Sequence, residues 1–528
     1  MSEKEYAVIV NKGVDLTQLE SELTSSTGSG PIPSRSVDVV NARKGSKRIT
    51  HFALTQQEAQ TLENDPRIRA VEIPPDQRDD IQIGLKRIQE GNFGYTTASD
   101  ASKVNWGLRR CMEKTNVFAT ESNSTYENMP GSFEYAVDGT GVDVVIQDSG
   151  VELTHPEWED SHGGSRFKAI DWYAESGVSG TQNANHYRDY DGHGTHCAGI
   201  SAGKTYGWAK GADIYAQKVA GLEGTGDSGT GIPVADAFDT IREWHNAKTN
   251  GRPTVVNMSW GYAINTSDDP VSGEYRGSVW NYPGTYSNST ALWTATGIVP
   301  IVGIVRTLPS RNTFADVEVE DMIDDGIHVC IAAGNDYYKG VLSTSLDYNN
   351  YVNFGGGAVY YHRGASPHDD RAFIVGNANT TVDYAVQGVN NQDRTAGSSS
   401  RGERVNIWAP GTDIMSTASN FNNTFDYTQY NYPGNSSYKI MQISGTSMAS
   451  PQVAGVCAQY LQVNPTLTPD QLRTALLNDC DNAMYSSGSN TDYLNYFNSI
   501  LGASQKFLHS RYSRSPVKFN VKTGIKLR

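Results

Sequence analysis

Between residues 142 and 443 short apolar runs alternate with segments of helical spacing, and that alternation constrains the fold more than any other feature of the 528-residue chain. The strand candidates are 142–147, 212–219, 254–258, 327–332, 373–376 and 438–443; helical patterns such as Val234, Phe238 and Ile241 lie between them. Parallel neighbours need a crossover, usually a helix. The pattern therefore implies an α/β fold, a doubly wound parallel sheet covered on both faces, with its site at the carboxyl ends of the strands. Asp148 stands at such an end.

The stretch 443–451, Ile-Ser-Gly-Thr-Ser-Met-Ala-Ser-Pro, is a small-residue turn that opens an apolar helix through Val456, Cys457, Tyr460 and Leu461. A serine in the first turn of such a helix lies where unpaired backbone N–H groups and the positive dipole end favour an oxyanion. Ser447 is therefore a candidate nucleophile. An alcohol needs a base within hydrogen-bond reach and a third group that orients the base. Upstream, His193 lies in Asp-Gly-His-Gly-Thr-His-Cys-Ala-Gly (191–199) and Asp148 in Val-Val-Ile-Gln-Asp-Ser-Gly (144–150). Singly, each motif has a plainer reading: Ser447 could cap a helix, Asp148 could end a strand in a turn, and His193 could be a core histidine or pair with His196 on a metal. No third ligand at metal spacing follows, so a metal set is not readable from the sequence. The three motifs together, in the order Asp, His, Ser, point to nucleophilic catalysis.

With these surroundings the chain resembles the subtilisin-like serine peptidases, and among them the proteinase K-like branch. The resemblance implies a serine endopeptidase of broad specificity with an Asp148–His193–Ser447 triad. It puts an oxyanion donor at Asn335, in Ile-Ala-Ala-Gly-Asn-Asp (331–336), with the Ser447 backbone N–H as its companion. It also implies a substrate cleft: Gly224, Thr225 and Gly226 face Ser259, Trp260 and Gly261 as edge strands for a peptide backbone. Ala332, Ala333 and Gly334 then leave a bare wall for an apolar or aromatic side chain before the scissile bond. Trp260 is larger than the residue often found there, and inward packing is an equal reading. Cys197, four residues after His193, would face the imidazole, as a thiol does in this branch. The chemistry requires no cofactor. The short link 201–206 lacks the calcium-binding loop of the subtilisin branch, and structural calcium elsewhere stays open.

Residues 1–75 read as a unit of their own. A strand at 6–10 leads to a helix with Leu16, Leu19 and Leu23 on one face, followed by strands at 37–40 and 48–54. Thr55 and Glu58 then have capping-box spacing and open a helix with Ala59 and Leu62 inward, before a last strand at 67–73. This βαββαβ order suggests a ferredoxin-like α+β module. In Phe-Ala-Leu-Thr (52–55) and Asp-Pro-Arg-Ile-Arg-Ala-Val-Glu (65–72) it resembles the family's inhibitory propeptide, which implies a self-processed precursor; an unrelated interaction domain is the alternative. Residues 76–103 read as a linker with the processing site, and 104–505 as the peptidase domain, entered through Trp-Gly-Leu (106–108). Insertions rich in Tyr, Asn, Ser and Gly interrupt that domain at about 262–311 and 337–364, and a basic tail occupies 506–528. The acidic run 316–325 reads as a solvated helix face, with calcium as the alternative.

A net charge of −15 argues against nucleic acid or an anionic membrane as the partner. No apolar run reaches spanning length. The opening residues show no charged-then-apolar leader, so a cytoplasmic location or carriage in an assembly is expected. Five dispersed cysteines suggest free thiols. The expected partners are polypeptide substrates and the chain's own N-terminal unit. The Tyr-rich insertions read first as ordered loop packing and the basic tail as an arm docked on its own body, with a docking surface for an assembly partner as the alternative for each. A catalytically silent scaffold within an assembly is the competing reading.

Overall fold

A computed structural model of the chain describes residues 3–25, 28–43, 45–78, 80, 82–85, 105–114, 116, 134–220, 230–379, 392–421, 428–487, 489, 491–495 and 498–514. The N-terminal unit consists of β1 (Lys4–Val10), α1 (Leu16–Thr24), β2 (Val39–Asn41), β3 (Ile49–Leu54), α2 (Gln56–Leu62) and β4 (Ile68–Glu72). Its antiparallel sheet has the order β2-β3-β1-β4. Thr55 and Glu58 exchange both bonds of the capping box.

The composition of β1 explains how this unit sits on the rest. Tyr6, Val8 and Val10 point into a core with Leu19 and Leu23 of α1 and with Ala59 and Leu62 of α2, whereas Ala7 and Ile9 point the other way. A strand apolar on both alternations must be covered on both faces. The second cover is the body of the protein, where Ala7, Ile9 and Ile49 meet Ala235, Phe314 and Val317.

The chain leaves this unit through β5 (Gln82–Leu85). The body follows as β6 (Asp143–Asp148), α3 (His193–Ala202), β7 (Asp213–Lys218), α4 (Val234–Ala247), β8 (Thr254–Met258), β9 (Trp260–Thr266), α5 (Thr313–Asp324), β10 (His328–Ala332), β11 (Phe373–Asn379), β12 (Ile407–Pro410), α6 (Thr446–Val463) and β13 (Lys506–Phe507). The main sheet runs β13-β12-β11-β10-β8-β6-β7, every one of these pairs parallel. Alternation along its strands divides two cores. Val144, Ile146, Cys330 and Val375 meet α3 and α6 on one face; Val145, Val256, Val329 and Ile374 meet α4 and α5 on the other. Strand order reverses at β6, so the crevice where ligands bind an open α/β sheet opens beside Asp148.

Three expectations need correction. The run at 438–443 is not part of the parallel sheet: Asn435–Ile443 pairs antiparallel with Ile414–Ala418 and Gln429–Tyr432 in a sheet of its own. Its place in the main sheet is taken by β12, four residues ending in Pro410, too short to show a period. The acidic run 316–325 is no solvated face. Around α5, Lys12 meets Asp324 (2.6 Å), Arg48 meets Asp321 (2.8 Å), Arg69 meets Glu320 (2.6 Å) and Lys47 meets Asp325. Buried Arg43 bridges Asp239 of α4 (2.9 Å) and Glu318 of α5 (2.8 Å). Carboxylates of the N-terminal unit also reach both helix starts: Glu72 accepts from the N–H groups of Thr313 and Phe314 (3.4 Å each), and Asp76 from those of Val234 and Ala235.

The third correction is the boundary at 505/506; the two insertions pack as ordered structure, the first reading of their sequence. Ser278–Asn281, Ser272–Tyr275, Tyr351–Asn353 and Ala358–Val359 form one four-stranded sheet, in that order, so the two insertions make a single ordered unit around Trp280, Leu308, Tyr338 and Tyr361. The first residues of the basic tail belong to the body. They form β13, Phe507 lies against the Arg110 guanidinium (4.0 Å), and Arg511 pairs with Asp479 (3.0 Å). Residues 515–528 lie outside the described residues. Among the described residues no helix is long and apolar enough to cross a membrane, and all five cysteines are buried thiols outside any disulfide.

Candidate active site

Asp148 ends β6 and His193 opens α3. His193 Nδ1 donates to Asp148 Oδ1 at 2.7 Å, and the N–H of Ser149 donates to the same oxygen at 2.7 Å. A carboxylate only accepts, so the ring proton sits on Nδ1 and the lone pair on Nε2. That Nε2 is buried and has no hydrogen-bond partner among the described residues, as a general base requires before its substrate arrives. His196, one turn along, is not part of the site. Its Nε2 donates to the carbonyls of Ile414 and Met441 (3.1 Å each), and burial pushes its pKa down to about 3, so it stays neutral.

Ser447 is the second residue of α6, after Gly445 at φ 155°. Its hydroxyl donates to the Ser259 carbonyl at 3.0 Å, so the proton rests on a backbone acceptor rather than on His193. Catalytic hydrogen bonds are often unmade until substrate binds. Pro451 adds a constraint that the sequence reading missed. It lies inside α6 and has no N–H, so the Ser447 carbonyl, four residues earlier, has no helical donor. Two neighbours supply donors: Ser259 Oγ at 3.0 Å and Cys197 Sγ at 3.4 Å. The Ser447 peptide is thereby fastened to the helix that carries His193 and to the segment between β8 and β9. Cys197 also approaches His193 Nδ1, at 3.9 Å, as its spacing predicts.

Asn335 follows β10, beyond Gly334, which turns the chain at φ 112°. Its Oδ1 accepts from the Thr446 N–H (2.9 Å) and from Thr446 Oγ1 (3.1 Å). Two donors on one end of the amide fix which end is nitrogen. Nδ2 is buried with no partner among the described residues, a donor held beside the start of α6.

The cleft residues separate by parity. Ser259 and Gly261 stand either side of Trp260, whose side chain turns into the core between Phe238 and Tyr262 and donates to Gln147 Oε1 (3.2 Å). Only the backbone of Trp260 remains for a substrate. Ala332 and Ala333 line a small cavity with Asp336, Ala365 and Pro367, and a side chain at Gly334 would meet Ser400 Oγ at 3.0 Å. Gly224, Thr225 and Gly226 lie outside the described residues. The edge of β9 that a peptide would use is already paired: Gln82–Leu85 runs antiparallel to it, with Leu85 opposite Trp260 and Gly84 opposite Gly261. Among the described residues the single set of three side chains close enough to share a metal ion is Asp148, His193 and Cys197, the hydrogen-bonded acid–imidazole pair with its neighbouring thiol.

Residues 139–495 match the model of the subtilase family. The extracellular serine proteinase of Thermus sp. (strain Rt41A) is 27% identical over 77% of this chain and 69% of its own length. The subtilisin-like proteinase Spm1 of Pyricularia oryzae is 29% identical over 70% of this chain and 51% of its own. The crystal structure of fervidolysin from Fervidobacterium pennivorans, a keratinolytic enzyme related to subtilisin, aligns with a TM-score of 0.50 at 18% identity, over 95% of this chain and 60% of that one. The chain thus spans about half to two thirds of the length of these relatives.

Proposed function

We propose, from the premise that the chain belongs to the subtilase family, that it is a serine endopeptidase working through Asp148, His193 and Ser447. Ser447 Oγ attacks the peptide carbonyl while His193 Nε2 takes its proton; Asp148 holds the imidazole and steadies the cation that forms. Asn335 Nδ2 and the Ser447 N–H receive the oxyanion. The imidazolium then protonates the leaving amine, and water, deprotonated by the same nitrogen, releases the acyl group and regenerates Ser447. The scheme calls on side chains and water. A substrate backbone would add to the edge of β9, which reads main chain before side chain and gives broad specificity, with an apolar or aromatic residue preferred before the scissile bond.

The observation that carries this reading is a pair of buried polar atoms with no partner among the described residues, His193 Nε2 as acceptor and Asn335 Nδ2 as donor, around Ser447. A silent scaffold has no use for either. Labelling by a fluorophosphonate at neutral pH tests it: the folded chain, free of its N-terminal unit, should lose its label on Ser447→Ala, and an unlabelled wild type would sink the enzyme reading.

We read the N-terminal unit as an intramolecular inhibitor. Support comes from β5, which lies along the strand a substrate is expected to use, and from the ion pairs that seat the unit on α4 and α5. Cell fractionation tests the expected intracellular placement, against which stands the extracellular Thermus relative.

A further inference from the structure

We propose that Asp189 is a positioning residue for catalysis, holding the segment that bears Asp148 and the helix that bears His193 in one register. Asp189 lies in the loop before α3 and is fully buried. Its Oδ1 accepts from Ser149 Oγ and from the Gly192 N–H, both at 2.8 Å; its Oδ2 accepts from the Thr195 N–H at 2.8 Å and from Thr195 Oγ1 at 2.5 Å. Ser149 Oγ in turn accepts from the Gly194 N–H at 2.8 Å. Thus every donor on this carboxylate comes from the residue after Asp148 or from the residues flanking His193.

The helix explains why a carboxylate stands there. α3 begins at a glycine, and Gly192, at φ 82°, offers no side chain to cap it. Asp189 does that from four residues before His193, taking the Gly192 and Thr195 N–H groups while Ser149 Oγ takes that of Gly194, so the positive field of the helix start meets a negative charge. The same carboxylate reaches the end of β6 through Ser149. Orientation of the imidazole depends on both anchors, because the bond from His193 Nδ1 to Asp148 spans these two elements and nothing in α3 alone fixes its length. Burial and the neighbouring Asp191 push the Asp189 pKa up to about 6, so at neutral pH it is an anion held by four donors.

This inference rests on the peptidase reading. An asparagine at 189 would turn an amide against two of the four donors, so Asp189→Asn should lower kcat about 10²-fold with KM for a short peptide little changed. Ser149→Ala removes one anchor only and should lower kcat less, and the double variant should be little worse than Asp189→Asn alone. A spectroscopic readout separates positioning from loss of fold. In a Ser447→Ala background, where every chain stays uncut, the downfield proton resonance of His193 Nδ1–H should shift or broaden on Asp189→Asn. Glu157→Gln serves as control: Glu157 is equally buried and accepts from the Thr205 and Tyr206 N–H groups and from Tyr432 (2.7, 3.3 and 2.9 Å), away from the site. It should lower the melting temperature and leave kcat and the resonance alone. If Asp189→Asn keeps kcat within twofold, or lowers it with the resonance unmoved, the proposal is overturned. An unlabelled wild type in the fluorophosphonate test would instead overturn the peptidase reading beneath it.

Discussion

At the scale of single residues, the site was legible wherever a motif and a local element coincide. Asp148 at a strand end, His193 at a helix start and Ser447 after a glycine turn each combine a chemical type with a backbone position. For Trp260, inward packing and a place on the cleft are equal readings of the sequence, and alternation along the strand decides the side chain: Ser259 and Gly261 share one parity and Trp260 has the other, turned into the core. Pro451 is not readable as a constraint because the donors that replace its N–H, on Ser259 and Cys197, lie elsewhere in the fold, whereas Asp189 carries a local signal, an acid shortly before a glycine-started helix, and only its bond to Ser149 is distant. Asn335 can be tested directly. Its donor bond strengthens only as the oxyanion forms, so Asn335→Ala should lower kcat by about 10²- to 10³-fold with KM nearly constant. An effect confined to KM would remove it from that role.

At the scale of elements, α5 shows what charge patterning alone leaves undecided. An acidic helix reads identically whether water or a basic partner covers it. The decisive signal was distant: Lys12, Arg43, Lys47, Arg48 and Arg69 of the N-terminal unit are its complement. Arg43→Ala would leave buried Asp239 and Glu318 to share Arg242 alone, 3.7 Å from each, a loss of about 3 kcal/mol, the low end for breaking a buried pair. The unit should then detach more often, and hydrogen exchange at the amides of Thr313 and Phe314, which Glu72 holds, should quicken. A second test concerns pH within the unit. Arg35 bonds both oxygens of Glu58 (2.7 and 2.8 Å), and with Thr55 holds its pKa at about 2, against an ordinary 4.5. A depressed carboxyl contributes stability above the unfolded value and loses it as pH falls through the folded one. The unit should therefore weaken between pH 4.5 and 2 by about 1 kcal/mol, after allowance for solvent screening. Circular dichroism of Glu58→Gln should show that acid dependence flattened.

At the scale of the whole molecule, the doubly wound sheet was readable because its longer central strands and helices announce themselves by their own periods, while the short strands β12 and β13 toward its edge do not. The joint sheet of the insertions was not, because pairing between distant segments leaves no local trace. The path of β5 along β9 has a direct test. A tethered peptide acts at an effective concentration near millimolar, so the N-terminal unit should block the site until the chain is cut beyond Leu85. Purified Ser447→Ala should accumulate as the intact chain, while wild type should yield an N-terminal fragment that suppresses activity when added back. Intact wild type with full activity would make the unit an interaction domain instead.

The insertion sheet also sets a schedule. Its first hairpin, Ser272–Tyr275 with Ser278–Asn281, needs Tyr351–Asn353 as its next strand, and the ribosome delivers that strand about 70 residues later. At usual elongation rates the wait is roughly 4 to 14 s, during which Trp280 has no finished core to enter. A nascent chain stalled between the two segments would offer a hairpin edge to any chaperone at the tunnel exit.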